Sequence, residues 1–498
     1  MLVKIIGLDL SYERTIANLL QLYYEEVAVT FDHDRQADMT LIFTVNETNS
    51  LTVDVKVIDQ EQEVGASAVY EAHSRTSPES RKQMKRTVSQ ALLKALQALT
   101  GIRQPWGILT GIRPTKLWHK TVQRGLSEVE ARRHIMEETM VTPEKLDLMH
   151  TIVKRQQETI PDLYDLKREV SLYIGIPFCP TKCAYCTFPA YSIRGRQGSV
   201  DSFLAGLHYE MREIGAWLKE KGIGITTIYF GGGTPTSITA EEMDLLYEEM
   251  YRSFPGMDKV REVTVEAGRP DTITPEKLGV LKKWNIDRIS INPQTYIQDT
   301  LDTIGRHHTV EETVETFHLA REMGMNNINM DVIIGLPGEG LEHFEHTLNE
   351  TAKLMPESLT VHTLSFKRAS RMTQNKQKYQ VADCDQVVRM MDRARGWTAD
   401  QGYVPYYLYR QKNILGNLEN IGYAFPGKES LYNIMIMEEQ QTILGLGCGA
   451  ASKLVHPATG KITRYANPKA PRAYNESFQK YTADKIELLE QLFANVTV

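Results

Sequence analysis

From about residue 171 to 370 the chain alternates between strand-like and helix-like segments, and no other feature restricts its fold as tightly. Apolar runs rich in β-branched residues predict strands at 171–176, 225–230, 261–267, 287–291, 328–334 and 358–364. Amphipathic stretches between them predict helices over Asp201–Lys221, Ala240–Phe254, Pro275–Trp284, Val310–Met323 and Gly340–Met355. Six strand–helix units in succession imply a parallel sheet with helices outside it. Such sheets collect ligand-binding residues at the C-terminal ends of their strands. The residues with the most distinctive chemistry fall there. Cys179, Cys183 and Cys186 follow the first strand in the spacing C-x3-C-x2-C, and Gly231-Gly232-Gly233-Thr234 follows the second. Glu266 ends the third strand, Gln294 follows the fourth, and Asp331 lies in the fifth, ahead of Gly335-Leu336-Pro337-Gly338.

Three thiolates on one short loop can hold three irons of a 4Fe–4S cube and leave the fourth iron open to a ligand. Clustered cysteines also bind zinc, but a structural zinc site wants a fourth Cys or His nearby, and none is obvious within the loop. Compartment bears on this choice. The segment Met1–Gly7 lacks a cleavable signal pattern. No apolar run approaches the roughly 20 residues that span a bilayer. A cytoplasmic protein is expected, where thiols stay reduced and serve metals rather than disulfides. Cys384 and Cys448, the other two of the 5 cysteines, read as buried thiols. A net charge of −6 gives no global basic field for nucleic acid.

Residues 1–165 precede the alternating region. Met1–Leu8, Val27–Phe31, Met39–Val45 and Leu51–Ile58 read as strands, and Tyr12–Tyr24 and Ser80–Leu99 as helices, the latter stopped by Gly101. This is an N-terminal α/β domain. Pro105–Leu117 is dense in Gly and Pro and carries Arg113 and Lys116; it either approaches a ligand or forms a rigid interdomain turn. Thr142-Pro143-Glu144 opens a helix to about Gln157, and Pro161 suits a linker. The core is assigned to 166–370. Residues 371–498 make a mixed, largely helical C-terminal region. In and around it Ser370–Lys378 reads as a polar loop, Asp385–Gln401 as a helix, and Tyr403–Arg410 as an aromatic strand. Gly445–Ser452 reads as a small-residue turn and Ala473–Phe493 as an amphipathic helix.

The loop Tyr173–Cys186 resembles that of the radical S-adenosylmethionine (SAM) enzymes. The resemblance implies a partial (β/α)6 barrel and a 4Fe–4S cluster on Cys179, Cys183 and Cys186. It also implies cleavage of cluster-bound SAM to a 5′-deoxyadenosyl radical. Within that superfamily, Tyr173–Tyr185, Phe230–Thr236, Arg288–Gln294, Gly305-Arg306 and Asn329–Pro337 are similar to the oxygen-independent coproporphyrinogen III oxidase/dehydrogenase family. The long first domain and Pro105–Leu117 look most like its HemZ-type branch. By this resemblance Tyr185, Gly232, Gly233, Thr234, Glu266 and Arg306 surround one SAM. Tyr173, Gln294, Asp331, Ser365 and Ala451 belong to a second. In that frame the glycines let backbone groups reach the methionine end, Glu266 takes the ammonium, and Arg306 pairs with the carboxylate as a planar fork.

The implied reaction converts two propionates of coproporphyrinogen III to vinyl groups, giving protoporphyrinogen IX. The implied partners are a tetrapyrrole substrate and an electron donor such as flavodoxin or ferredoxin, with no nucleic acid or membrane, and the chain is expected to be a monomer. Arg113, Lys116, Lys367, Arg368 and Arg410 are candidate anchors for the substrate's carboxylates, while His307 and His308 read as structural or exposed. Two departures stand out. The family's established dehydrogenases carry a further cysteine where this chain has Phe188. The related haem chaperones carry His-Asn-x-x-Tyr-Trp, of which Tyr432–Met437 retains only Asn433. They keep two alternatives in view: a haem- or porphyrin-binding chaperone-like protein, and a radical SAM haem methyltransferase that opens the ring.

Overall fold

The β-branched runs near the N-terminus pair as the pattern predicts. In the computed structural model β1 (Leu2–Ile6), β2 (Ala28–Thr30), β3 (Met39–Glu47), β4 (Leu51–Asp59) and β5 (Gln62–Tyr70) form one sheet in the order β2-β1-β3-β4-β5. β1 runs parallel to β2 and β3, and the other pairs are antiparallel. α1 (Glu13–Leu20) and α2 (Ser80–Thr100) share a core with it, where Leu92 and Leu96 meet Ile5, Leu41 and Val55. Gly101 ends α2 in the left-handed conformation, φ +71°. β5 escaped the sequence reading because Ala68 is its one buried residue, so little apolar period was there to see. α3 (Thr115–Gln123), α4 (Glu128–Thr139) and α5 (Pro143–Thr159) follow. The described residues are 1–494, omitting 61, 72–78, 112, 189, 194–198, 366–369, 375–378, 380, 381, 412 and 413. They divide into two compact units, Met1–Thr151 and Ile152–Val498.

In the second unit β6 (Glu169–Ile176) leads into a short ladder, β7 (Phe178–Cys179) with β8 (Tyr191–Ser192). Alternation follows through α6 (Val200–Lys221), β9 (Gly224–Gly232), α7 (Ala240–Ser253), β10 (Glu262–Gly268), α8 (Pro275–Lys283) and β11 (Arg288–Ile291). It continues with α9 (Gln298–Thr303), α10 (Val310–Glu322), β12 (Ile328–Ile334), α11 (Leu341–Leu354) and β13 (Ser358–Thr363). α12 (Arg371–Gln374), α13 (Cys384–Asp400), β14 (Val404–Tyr409), β15 (Asn420–Ala424) and α14 (Leu431–Glu438) come next. β16 (Thr442–Gly447), β17 (Ala451–Val455), β18 (Ile462–Ala466), α15 (Pro471–Asn475) and α16 (Phe478–Phe493) complete the chain. The six strands read from the sequence are β6 and β9 to β13, parallel neighbours in chain order.

β16 adds a further parallel strand beside β6, with Gly445 opposite Tyr173 and Gly447 opposite Gly175. Sequence reading took Gly445–Ser452 for a turn. The glycines are needed because a Cβ at Gly447 would lie 2.4 Å from the Gly175 carbonyl oxygen. β15 and β14 extend the other flank antiparallel, and β17 and β18 extend β16. The C-terminal region therefore contributes five strands to the same sheet. A buried network locks β16 in place. Glu210 of α6 accepts from the Gly447 amide at 2.7 Å, the Tyr474 hydroxyl at 2.7 Å, Asn467 and Lys485 of α16.

Side chains alternate by parity across the parallel strands. Leu172, Ile174, Ile228, Phe230, Val265, Ile289, Met330, Val332 and Val361 are buried and apolar. Phe230 meets Tyr247 of α7 edge-on, so this parity faces the helices. The other parity is polar: Ser171 and Tyr173, Thr227 and Tyr229, Thr264 and Glu266, Arg288 and Ser290, Asn329 and Asp331, Thr360 and His362. Sheets packed on both faces normally read as continuous apolar runs. Here the inner face encloses a polar lumen. Its floor is closed by α14, which packs against β9, β10 and β14. Glu262, at the N-terminal end of β10, caps α14 by accepting from the Leu431 and Tyr432 amides at 2.9 and 3.1 Å. Arg288 of β11 is likewise spent on the floor, donating to the Lys428 carbonyl and to Ser358.

Candidate functional site

At the lumen's C-terminal mouth the cysteine loop is stitched to its surroundings by backbone hydrogen bonds. Tyr191 N donates to Pro177 O at 2.9 Å, Ala184 N to Ile304 O at 2.8 Å, and Cys186 N to Cys183 O at 3.2 Å. Arg269, paired bidentately with Asp271, donates to the Thr181 hydroxyl at 2.8 Å. The turn after β9 presses on this loop. Gly233 N donates to Ile176 O and Thr234 N to Phe178 O, both at 2.7 Å. A Cβ at Gly233 would lie 2.5 Å from Phe178 O, and Gly232 sits at φ +109°. These two glycines are therefore required by backbone packing against the loop, a tighter reason than ligand access. Gly231 differs, since a Cβ there would enter the lumen at 2.9 Å from Glu266 Oε2.

None of the three loop thiols is in a disulfide, and Cys179 and Cys183 are buried. Burial pushes the Cys179 thiol up to about 11, opposed by the Thr234 hydroxyl, which donates to its sulfur at 3.3 Å. Arg306 is buried beside them. Its Nη1 donates to Asn292 O at 2.8 Å, and its guanidinium also bonds Cys183 and Tyr185. Burial alone would weaken this cation, but Tyr185 and Cys183 hold it above its ordinary range. His308, behind it, is fully buried; burial and Arg306 push it down to about 4. His307 is exposed.

Within these strands several largely buried residues, each with a small exposed fraction, lie on the lumen parity: Tyr173, Tyr229, Glu266, Asn329, Asp331 and His362. Burial and then the Asp331 charge raise Glu266 to about 8, and a hydrogen bond from Tyr229 opposes this. Asp331 goes the other way. Burial would raise it, but His362 and hydrogen bonds from Asn329 and Thr360 hold it below the usual carboxylate range. Gln294, at φ +66°, donates its amide to Asp331 O and accepts from Ile333 N, each at 2.9 Å. Tyr173, Tyr229 and Tyr432 stack, with the last two centroids 4.4 Å apart.

The structure thus brings together Cys179 with Thr234, Cys183 with Tyr185 and Arg306, Glu266 with Gly231 and Tyr173, and Gln294 with Asp331. Ser365 is buried and bridged to Ile414, while Ala451 is exposed at the start of β17, paired with Ala466. Of the candidate anchors, Lys367 and Arg368 lie outside the described residues. Arg410 is buried and donates to Asn417 and to the Leu418 carbonyl. Arg113 and Lys116 belong to the Met1–Thr151 unit. In that segment Gly107 packs on the Thr139 carbonyl and Trp106 is fully buried, which suits a rigid turn. Cys448 is a buried thiol, pushed up to about 12 by burial and turned to the Pro468 and Lys469 carbonyls. Sequence reading missed Tyr229, Asn329, His362 and Tyr409. The signal for the first three was the alternating polar parity of Thr227-x-Tyr229, Asn329-x-Asp331 and Thr360-x-His362, while Tyr409 lay within the aromatic strand Tyr403–Arg410.

These residues fit a cluster and SAM. Three thiols outside any disulfide share one loop, and the hydroxyls of Thr264 and Ser290, the amide oxygens of Asn292 and Gln294, and Nε of Arg306 are buried without a hydrogen-bond partner. The family profile "Radical SAM superfamily" matches residues 173–351. Fold and site define a radical SAM enzyme that binds a 4Fe–4S cluster and SAM. The chain is 59% identical to the oxygen-independent coproporphyrinogen-III oxidase-like protein HemZ of Bacillus subtilis (strain 168), over 100% of this chain and 99% of that one. It belongs to this oxygen-independent coproporphyrinogen-III oxidase-like family. It is also 31% identical to the heme chaperone HemW of the same organism, over 65% of this chain and 82% of that protein. The fold resembles that of coproporphyrinogen III oxidase HemN from Escherichia coli, with a TM-score of 0.51, 21% identity, and coverage of 66% of this chain and 72% of that one. Among the described residues no helix is long and apolar enough to cross a membrane.

Proposed function

We propose that the protein oxidatively decarboxylates two propionates of coproporphyrinogen III, giving the vinyl groups of protoporphyrinogen IX. What supports this reading is the cysteine loop, where Cys183 and Cys186 neighbour Cys179 and Arg306 bonds Cys183 and Tyr185, beside a lumen face that carries Glu266 and Asp331. The bound cluster and SAM supply a carbon radical able to take a hydrogen atom from an unactivated C–H bond. The chain's own residues arrange the encounter. Cys179, Cys183 and Cys186 would hold three irons. Glu266 would take the SAM ammonium, and the unpartnered Nε of Arg306 is a donor left for its carboxylate. Tyr185, Gly232, Gly233 and Thr234 would frame that end. Tyr173, Gln294, Asp331, Ser365 and Ala451 would serve a second SAM. Each substrate propionate would lose a side-chain hydrogen atom to the deoxyadenosyl carbon, then carbon dioxide and one electron, the electron passing to an external one-electron acceptor. A flavodoxin- or ferredoxin-type donor, a cytoplasmic setting and a monomer complete the proposal.

The test is an anaerobic assay of the cluster-reconstituted protein with SAM, dithionite and coproporphyrinogen III, read by mass spectrometry. Loss of two carbon dioxide units with 5′-deoxyadenosine formation is the expected result. A second reading, porphyrin carriage, draws on the HemW similarity and on Phe188, which is exposed on the cysteine loop. Stoichiometric porphyrin binding without SAM turnover would favour it, and a linear tetrapyrrole product would point to ring-opening methyl transfer.

A further inference from the structure

A hydrogen-bonded row crosses the lumen wall on β12, β13 and β14. Asn329 Nδ2 donates to Asp331 Oδ1 at 2.8 Å, and Thr360 also bonds this carboxylate. His362 Nε2 lies 3.5 Å from Asp331 Oδ2. On its far side, His362 Nδ1 is 3.1 Å from the Tyr409 hydroxyl. Gln411 in turn hydrogen-bonds Tyr409. With Nε2–H turned to the carboxylate, Nδ1 shares its hydrogen bond with the phenol, accepting from it as neutral imidazole and donating to it as imidazolium, so Tyr409 fixes the ring's orientation in either state.

Two carboxylates share this lumen, and burial opposes ionisation of both. They differ in their partners. Glu266 has the Tyr229 hydroxyl and the more distant Arg306, and it feels the Asp331 charge. Asp331 has His362, Asn329 and Thr360. The titratable groups around Asp331 are Glu266 from β10, Tyr229 from β9, His362 from β13, and Tyr407 and Tyr409 from β14.

We propose that His362, oriented by Tyr409, is a positioning residue that keeps Asp331 charged and aimed into the lumen, making this wall the seat of a cationic ligand group. The inference rests on the proposed placement of Asp331 at bound SAM. Without the imidazole, burial acts on Asp331 with less opposition. Its carboxyl then keeps a proton to higher pH than in wild type, and the wall's attraction for a cation weakens.

The test is SAM affinity of the reconstituted full chain, by equilibrium dialysis at pH 7 and pH 9, for wild type, His362→Phe, His362→Gln and Asp331→Asn. Wild-type Glu266 ionises across this range and feels the Asp331 charge, so the series is repeated on a Glu266→Gln background and each variant is compared with its own parent at the same pH. H362F should bind SAM about 10-fold more weakly at pH 7, with a deficit that narrows at pH 9. H362Q, whose side-chain amide can donate to Asp331, should stay close to wild type at both. D331N should be weak at both. An H362F deficit of equal size at the two pH values, or no deficit beside a weak D331N, overturns the relay. If D331N binds as wild type does, the assignment of Asp331 to SAM fails, and the inference with it.

Discussion

At the scale of single residues, the site separates two carboxylates by their surroundings. Glu266 is raised to about 8 by burial and by Asp331, while Asp331 is held low by His362 and its neighbours. The sign for stability follows. Between an unfolded value near 4.5 and the folded value near 8, the folded protein binds more protons than the unfolded chain at Glu266. Its contribution to stability therefore falls as pH rises through that window. Glu266→Gln should show a flatter decline of apo-protein stability between pH 5 and 8 than wild type, measured by denaturant titration at each pH. Identical slopes would show that Glu266 is not buried as described. Such partners were not legible in the sequence: Glu266 and Asp331 are both strand acids there, and only the fold sets a tyrosine beside one and a histidine beside the other.

At the scale of elements, two contacts fix the mouth and the floor of the lumen. The turn after β9 leaves no room for a Cβ at Gly233, 2.5 Å from the Phe178 carbonyl. Gly233→Ala should displace the cysteine loop, cost about 1–3 kcal/mol by overpacking, and lower the iron bound after reconstitution by more than about half. Full iron content would show that the loop tolerates the shift. At the floor, Glu262→Ala removes acceptors from two α14 amides and the Ser430 hydroxyl. A loss of about 2–4 kcal/mol is expected, since buried donors are left unpaired, read as a lower denaturant midpoint. The parallel strands were legible because their outer parity is strongly apolar. β16 was not, because Gly445 and Gly447 imitate a turn; a Cβ at Gly445 would lie 2.8 Å from the Ala451 backbone and one at Gly447 2.4 Å from the Gly175 carbonyl oxygen of β6, approaches too close for side chains.

At the scale of the molecule, distant parts of the sequence complete one sheet. The buried Glu210–Lys485 pair joins α6 to α16 and secures β16, the neighbour of the strand that launches the cysteine loop. Lys485→Met should cost about 3–5 kcal/mol, the expense of a buried charge left without its partner, seen as a large fall in thermal midpoint. No local sequence signal links residues 210 and 485. The cysteine spacing, by contrast, announced a three-thiol metal site before any fold was known. The measurement that tests the account most directly is Mössbauer spectroscopy of the ⁵⁷Fe-reconstituted protein with and without SAM, with iron and sulfide analysis. The account predicts about four irons and four sulfides per chain, with one iron of the four changing its signal when SAM is added. A single zinc per chain, or four irons that do not respond to SAM, would contradict it.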